Sequence, residues 1–127
     1  MVILVVDDDA SFRGMLQSML ERQHHAVVVA QDGSEAMKRF REQPPDLVIT
    51  DLIMPDKEGL ETIREIRRGN ADIRIIAMSG GGRVSPATYL SIALDMGADA
   101  VLAKPFSSQQ LLDAIEAALA STRNTMP

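Results

Sequence analysis

Acidic side chains follow two apolar stretches of the chain, each with the composition of a buried strand. The apolar run at residues 1–6 leads directly into Asp7, Asp8 and Asp9, and a second run closes on Asp51. A strand that ends in carboxylates puts negative charge at the rim of a sheet, and carboxylates that meet there repel one another. Oxygen-rich clusters of this kind suit a hard divalent cation such as Mg²⁺ or Ca²⁺. The pattern therefore predicts acid-and-metal chemistry at one edge of a parallel sheet.

The length and composition bound the class of protein. The chain has 127 residues, enough for one domain with its own core and too few for two. The net charge of -5 argues against a direct grip on nucleic acid or on an anionic membrane, because both require a basic face. The absence of cysteine excludes disulfides, thiol catalysis and cysteine-bound zinc. The opening apolar run is too short for a membrane span and has no basic flank, so we expect a cytoplasmic protein.

Short apolar runs alternate with stretches of helical periodicity along the chain. For example, one helical stripe is formed by Phe12, Met15, Leu16, Met19 and Leu20. The alternation predicts five β–α units, and hence an α/β fold with a doubly wound, five-stranded parallel sheet and helices on both faces. The predicted strands cover residues 2–6, 26–29, 47–50, 73–77 and 100–102, and residues 30–33 read as a turn. Helix ends are predicted from capping signals: Gly69 and Gly97 suit positions just past a helix, Ser85-Pro86 an N-cap with the first helical residue, and Ser107 with Gln110 a capping box.

Five such units commonly take the strand order 2-1-3-4-5, and ligands then bind at the carboxyl ends of the strands, where the winding reverses. In this order the site edge collects Asp7 and Asp8 from the first strand and Asp51 from the third. The fourth strand ends near Ser79 and the fifth near Lys104. Carboxylates can hold Mg²⁺ and one of them can act as a nucleophile, while a metal, an ammonium and a hydroxyl together neutralise phosphoryl oxygens. The set predicts phosphoryl chemistry.

Five short motifs stand in order along the chain, each correctly placed against the predicted strands, and together they resemble the receiver domain of two-component response regulators, from Val2 to about Leu119. They are Val5-Val6-Asp7-Asp8 followed by Arg13; Leu47-Val48-Ile49-Thr50-Asp51 with Met54-Pro55 and Gly59; Met78-Ser79-Gly80; Gly97-Ala98; and Lys104-Pro105-Phe106. The resemblance implies a flavodoxin-like fold and a phospho-accepting switch.

The resemblance also implies a role for each site residue. Asp51 would be the phospho-acceptor. Mg²⁺ would be the cofactor, bound by Asp8, Asp51 and the backbone carbonyl of Ile53, with Asp7 acting mainly through metal-bound water. Two further side chains, Ser79 and Lys104, would hold the phosphoryl oxygens.

The same resemblance implies partners and boundaries. The phosphoryl donor would be a sensor histidine kinase or a histidine phosphotransfer protein, and the face made by the fourth helix, fifth strand and fifth helix would signal to a downstream protein. Direct contact with nucleic acid or membrane is not expected. Residues 1–120 would form the receiver domain and residues 121–127 a polar tail. Catalysis would be limited to self-phosphotransfer and slow autodephosphorylation, so we do not expect an enzyme.

Two departures from the family pattern concern the relay of the signal. Val101 occupies the position three before the lysine, where relatives usually carry an aromatic ring or histidine. The stretch between Ser79 and Lys104 is also a few residues longer than expected, and it opens with three glycines at positions 80–82. Because valine cannot make a large rotamer switch, we expect the loop at 80–85 to respond to phosphorylation instead.

Two alternative functions use the same residues. Asp7 and Asp9 form an Asp-x-Asp pair after the first strand, which is similar to haloacid-dehalogenase-type phosphatases in which the first acid is the nucleophile. The chain could also be an interaction module that works without phosphorylation. For Asp9 by itself we predict a helix N-cap and no role in the site.

Overall fold

The computed structural model describes residues 1–52, 59–70, 72–80 and 86–120, and it shows a parallel sheet between two layers of helices. The strand order is β2-β1-β3-β4-β5, which confirms the predicted fold class and winding. The strands are β1 Val2–Val6, β2 Ala26–Ala30, β3 Leu47–Asp51, β4 Arg74–Ser79 and β5 Ala100–Ala103. The helices are α1 Ala10–Arg22, α2 Gly33–Glu42, α3 Gly59–Gly69, α4 Pro86–Met96 and α5 Ser108–Ala120.

The sheet separates two hydrophobic clusters, one on each face. Successive residues of a strand point to opposite faces, so Ile3 and Val5 enter the cluster beneath α1 and α5, whereas Leu4 and Val6 enter the cluster beneath α2, α3 and α4. Both faces are therefore covered, which explains why the strands are continuous apolar runs without polar alternation. Within the described residues, none of the helices combines the length and the apolar character needed to cross a bilayer.

Helix ends largely follow the predicted capping signals. Asp9 caps α1, since its carboxylate accepts from the backbone amides of Ser11 and Phe12. Ser107 and Gln110 form the predicted reciprocal capping box at the start of α5. Gly97 follows α4 with a φ of 118°, a conformation that a side chain would disfavour. The two N-caps fix where the chain leaves the site loops and enters α1 and α5, whereas Gly97 ends α4 at the opposite edge of the sheet.

Two predicted helix boundaries differ from the structure. The segment around Asp32 and Gly33 reads as a turn in the sequence, but Gly33 begins α2 and Asp32 is its N-cap, accepting from the amide of Glu35. The Glu35 carboxylate in turn accepts from the amide of Gln31, so the turn residues are the start of a helix. Gly69 is the last residue of α3 and does not lie beyond it. Pro86 begins α4 as predicted, whereas Ser85 lies outside the described residues.

An ion pair fastens the sheet edge opposite the carboxyl ends of the strands. The Arg67 guanidinium, on α3, lies 2.7 Å from the carboxylate of Asp99, just before β5, and donates to the backbone carbonyls of Gly97 and Ile73. Asp99 also accepts from the amide of Ile75, at 2.9 Å. The Asp99 side chain is 1% exposed, so its charge depends on these donors. The contact ties α3 to the turn between α4 and β5.

Replacement of Arg67 by methionine should lower the free energy of unfolding by on the order of 3 kcal/mol, because it removes the nearest cation of the buried Asp99 carboxylate and leaves only the Arg74 guanidinium, 4.0 Å away. Urea denaturation measures the change. The matched control is Arg39→Met, which breaks a solvent-exposed pair with Glu42 and should cost less than about 1 kcal/mol. Equal losses in the two variants would show that the Arg67–Asp99 pair does not fasten this edge.

Candidate functional site

The register of the strands brings the predicted site residues to one edge of the sheet. Asp51 pairs with Met78 and Ser79 pairs with Ala103, so β3, β4 and β5 end at nearly the same level. The ladder continues past the strands, because the amide of Lys104 donates to the carbonyl of Ser79 at 2.9 Å. The amide of Asp7 likewise donates to Ala30 at 3.1 Å. The backbone therefore holds every strand end that carries a functional side chain.

An ammonium ion lies between two buried carboxylates at this edge. The Lys104 Nζ atom is 2.7 Å from Oδ2 of Asp7 and 3.3 Å from Oδ2 of Asp51. The side chain of Asp7 is fully buried, that of Asp51 is 11% exposed, and that of Lys104 is 17% exposed. Carboxylates at this spacing repel each other in a partly dry site, and the lysine offsets that repulsion.

Asp7 has both carboxylate oxygens engaged. Oδ1 accepts from the amide of Asp9 at 3.0 Å, while Oδ2 accepts from Lys104. The guanidinium of Arg13 donates to the backbone carbonyl of Asp7 at 2.7 Å, so main chain and side chain are held separately. Asp7 is thus a fixed acceptor, whereas Asp51 keeps an opening to solvent.

The carboxylates of Asp7, Asp8 and Asp51 come together as predicted. Each offers an oxygen atom, and the three oxygens lie within 4.8 Å of one another. Asp8 is exposed and the other two are buried, so the cluster opens on the side of Asp8. Three hard oxygen donors around one point fit a divalent cation such as Mg²⁺. Ile53, the predicted backbone ligand, lies outside the described residues.

Ser79 contributes a buried hydroxyl at the end of β4. The residue has no exposed surface, and among the described residues its Oγ atom finds no hydrogen-bond partner. A buried hydroxyl without a partner costs roughly 1–3 kcal/mol, so folded proteins rarely keep one without a use. The hydroxyl fits an acceptor that arrives with a ligand, which is the role predicted for Ser79.

Sequence reasoning missed two contacts of Lys104. The Lys104 Nζ atom lies 4.2 Å from the ring centroid of Phe12, a cation–π contact, and the Phe12 ring meets the edge of Phe106. A Cβ atom on Gly80 would lie 2.2 Å from Cβ of Lys104, so only glycine leaves room for the lysine stem. Two features of the sequence could have indicated these contacts: Phe12 lies one turn after Asp9, and a glycine follows Ser79. Both features also have simpler explanations when only the sequence is known.

The surroundings of Lys104 change its acidity. Partial burial lowers the pKa of the ammonium, but the hydrogen bonds and negative charges of Asp7 and Asp51 outweigh burial and raise the pKa above the usual lysine value. Lys104 is therefore a cation at any physiological pH. It serves as a fixed positive charge and a hydrogen-bond donor, not as a base.

The fold and this arrangement of acids, hydroxyl and lysine define a receiver domain. The chain belongs to the response regulator receiver domain family, whose model matches residues 3–116. A solved response regulator receiver domain protein from Clostridium thermocellum is 31% identical and superposes with a TM-score of 0.84 over 93% of both chains.

Curated relatives fall into two length classes. The chemotaxis protein CheY of Bacillus subtilis is 36% identical over 118 residues, covering 92% of this chain and 96% of that protein. The probable transcriptional regulator ycf27 of Guillardia theta is 38% identical over 120 residues, covering 94% of this chain. This chain spans about half the length of ycf27 and of the response regulator MprA from Mycolicibacterium vanbaalenii, at 46% and 51%.

The raised pKa of Lys104 should make stability fall at alkaline pH. A lysine whose folded pKa exceeds its unfolded value of about 10.4 stabilises the fold fully below that pH, and the stabilisation is lost as pH rises through the folded pKa. The difference in unfolding free energy between wild type and Lys104→Met should therefore stay constant from neutral pH to about pH 10.4 and shrink at higher pH. Urea denaturation across this range measures it, with Lys38→Met, at an exposed position, as the control. The same decline in both comparisons would contradict the prediction.

Proposed function

We propose that this receiver domain takes a phosphoryl group onto Asp51 from a phosphohistidine of a sensor kinase or of a phosphotransfer protein. The observation that carries the proposal is the place of the Asp51 carboxylate: it ends β3, keeps an opening to solvent, and lies 3.3 Å from the Lys104 ammonium. Family membership supports a histidine kinase as the donor.

The reaction is a displacement at phosphorus. An oxygen of the Asp51 carboxylate attacks the phosphorus atom, forming an acyl phosphate, while the bond between phosphorus and the donor imidazole nitrogen breaks. The nitrogen keeps the electron pair, and the imidazole takes a proton from solvent. The protein must supply positive charge and hydrogen-bond donors around the transferring oxygens, because such transfers depend on positioning and electrostatics.

Asp7, Asp8 and Asp51 would hold the Mg²⁺ ion, since their oxygens already cluster within 4.8 Å. When bound, the ion supplies positive charge that offsets the carboxylates and the incoming phosphoryl oxygens. Lys104 and Ser79 would complete the set: the ammonium pairs with one phosphoryl oxygen, and the buried hydroxyl donates to another. This gives the Ser79 hydroxyl the partner that it lacks among the described residues.

Asp51 is a better nucleophile than Asp7 in this geometry. Both oxygens of Asp7 accept hydrogen bonds and its side chain is fully buried, so a donor cannot reach it without breaking those bonds. A phosphatase that uses Asp7 as nucleophile is accordingly the weaker candidate. We infer that the chain's own catalysis is limited to accepting the phosphoryl group and losing it slowly to water.

The signal would leave through α4, β5 and α5 toward a downstream protein. A groove of about 480 Å³ runs between β5 and α5, lined by residues that include Val101, Phe106, Gln110 and Ala114. Val101 is half-buried and packs against the cluster beneath α4. Because the residue is valine, no aromatic ring at this position can change its rotamer. The loop proposed to respond instead, residues 80–85, lies mostly outside the described residues.

Incubation with acetyl phosphate and Mg²⁺ tests the acceptor. The wild type should gain one acid-labile phosphoryl group by intact mass, Asp51→Asn should gain none, and Asp7→Asn should be labelled more slowly, because its loss weakens only the charge around the site. Asp9→Asn is the matched control and should be labelled normally, since asparagine caps a helix as well as aspartate does.

Full labelling of Asp51→Asn would overturn the proposal, and a phosphoryl group on Asp7 would favour the phosphatase. A wild type that takes no label but still binds its partner would favour the phosphorylation-independent module.

Mg²⁺ should stabilise the fold through the carboxylate cluster. A ligand that binds only the folded state adds about 2.7 kcal/mol at 100 times its dissociation constant, so millimolar Mg²⁺ should raise the melting temperature. Asp8→Ala should abolish the rise, and without metal this variant should equal or exceed the wild type in stability because a repelling charge is gone. Asp95→Ala, an exposed acid at the far end of α4, is the control and should keep the rise. Equal responses in the two variants would place Mg²⁺ elsewhere.

A further inference from the structure

The Lys104 ammonium has a third neighbour besides its two carboxylates. The Nζ atom lies over the Phe12 ring, 4.2 Å from the ring centroid, well inside the roughly 6 Å range of cation–π attraction. The lysine side chain is 17% exposed, so water screens this attraction only in part. Asp7, Asp51 and Phe12 thus surround the ammonium on three sides.

The ring is itself held in place. Phe12 lies in the first turn of α1, where its backbone amide donates to the capping carboxylate of Asp9 at 3.1 Å. Phe106 meets the ring edge-on, with 5.5 Å between centroids and 85° between planes. A contact fixed from both the backbone and the neighbouring ring presents one face of Phe12 to the lysine.

We propose that Phe12 is a positioning residue for Lys104: its ring holds the ammonium at the place where an incoming phosphoryl group meets it. The ring attracts the cation without adding an oxygen acceptor, so beyond the hydrogen bonds to Asp7 and Asp51 it leaves the N–H protons of Lys104 to the incoming phosphoryl group. A third carboxylate in the same place would compete with the phosphoryl group for those protons. The ring therefore restrains a flexible side chain without tying up its donors. The inference rests on the proposed phosphoryl transfer to Asp51.

A plainer explanation treats Phe12 as a packing residue, because it contacts the hydrophobic cluster beneath α1 and α5. The two explanations differ in what a substitution does. Leucine preserves an apolar side chain on this helical face but has no ring, whereas tyrosine preserves the ring. Phe40 offers a matched control, since it is a half-buried phenylalanine on α2 that packs against the opposite cluster.

The experiment compares wild type, Phe12→Leu, Phe12→Tyr and Phe40→Leu in the 127-residue chain. The first readout is the NMR shift of the Lys104 Hε protons, which the ring current of Phe12 should displace upfield in wild type and Phe12→Tyr but not in Phe12→Leu. The second is the rate of labelling by acetyl phosphate, which Phe12→Leu should lower roughly two- to tenfold, the range of a cation–π contact, while Phe12→Tyr stays within about twofold.

The third readout is Mg²⁺ affinity, which separates positioning from general loosening. A loosened lysine competes less for Asp7, so Phe12→Leu should bind Mg²⁺ at least as tightly as wild type, whereas a disordered site would bind it more weakly. The proposal is overturned if Phe12→Leu leaves the Lys104 shift unchanged, is labelled at the wild-type rate, or loses rate no more than Phe40→Leu. If wild type takes no label at all, the proposed function fails, and the Lys104 shift still decides whether Phe12 positions the lysine.

Discussion

The attraction between one lysine and two buried carboxylates is the constraint that organises this domain. Asp7 and Asp51 end neighbouring strands, and without a cation their charges would oppose the pairing of β1 with β3. The cation comes from the far edge of the sheet, 97 residues after Asp7. Lys104 lies level with the two carboxylates because its backbone amide donates a hydrogen bond to the Ser79 carbonyl and so continues the ladder between β4 and β5. The site can therefore form only if the strands take this order, because every strand except the edge strand β2 ends in a side chain that belongs to the site.

Buried ion pairs lie at both edges of the sheet, and their balance of charge differs. At the edge opposite the site, the buried Asp99 carboxylate receives a guanidinium and a backbone amide, and the pair simply fastens α3 to the turn before β5. At the site edge, Asp7 and Asp51 share one ammonium, the Asp8 carboxylate lies beside them, and the Ser79 hydroxyl finds no partner among the described residues. Polar groups left short of partners in a buried place cost stability, and they are expected where a ligand supplies what is missing. The opposite edge therefore sets two guanidinium groups, from Arg67 and Arg74, against the one Asp99 carboxylate, whereas the site edge carries more carboxylates than cations among the described side chains, an excess that a divalent cation can offset.

Residue types predicted the strands and the acidic ends well because both depend on local composition. Continuous apolar runs identify strands covered on both faces, and the five runs appear in the structure with ends shifted by at most two residues. The carboxylates, Ser79 and Lys104 meet as expected because strand ends meet in any doubly wound sheet. Other contacts could not be predicted. Phe12 fits a helical core stripe equally well, and only the packing of α1 turns its ring toward Lys104. Arg67 and Asp99 look like solvated charges, and their pairing depends on how α3 crosses the sheet.

The same backbone connections bear on how a change at the site can reach the surface without a ring at Val101. Ser79 and Lys104 are not independent, because the carbonyl of Ser79 accepts the amide of Lys104 and Ser79 pairs with Ala103 in the sheet. A ligand that draws the Ser79 hydroxyl and the Lys104 ammonium toward itself acts on both sides of this β4–β5 junction. Gly80 packs closely against the aliphatic part of the Lys104 side chain, and no residue with a Cβ atom would fit in its place. A displacement of this junction would act on β5, whose residues line the groove beside α5. We therefore propose motion of this strand end, beside the expected response of the loop at 80–85, as a route that needs no rotating side chain at position 101.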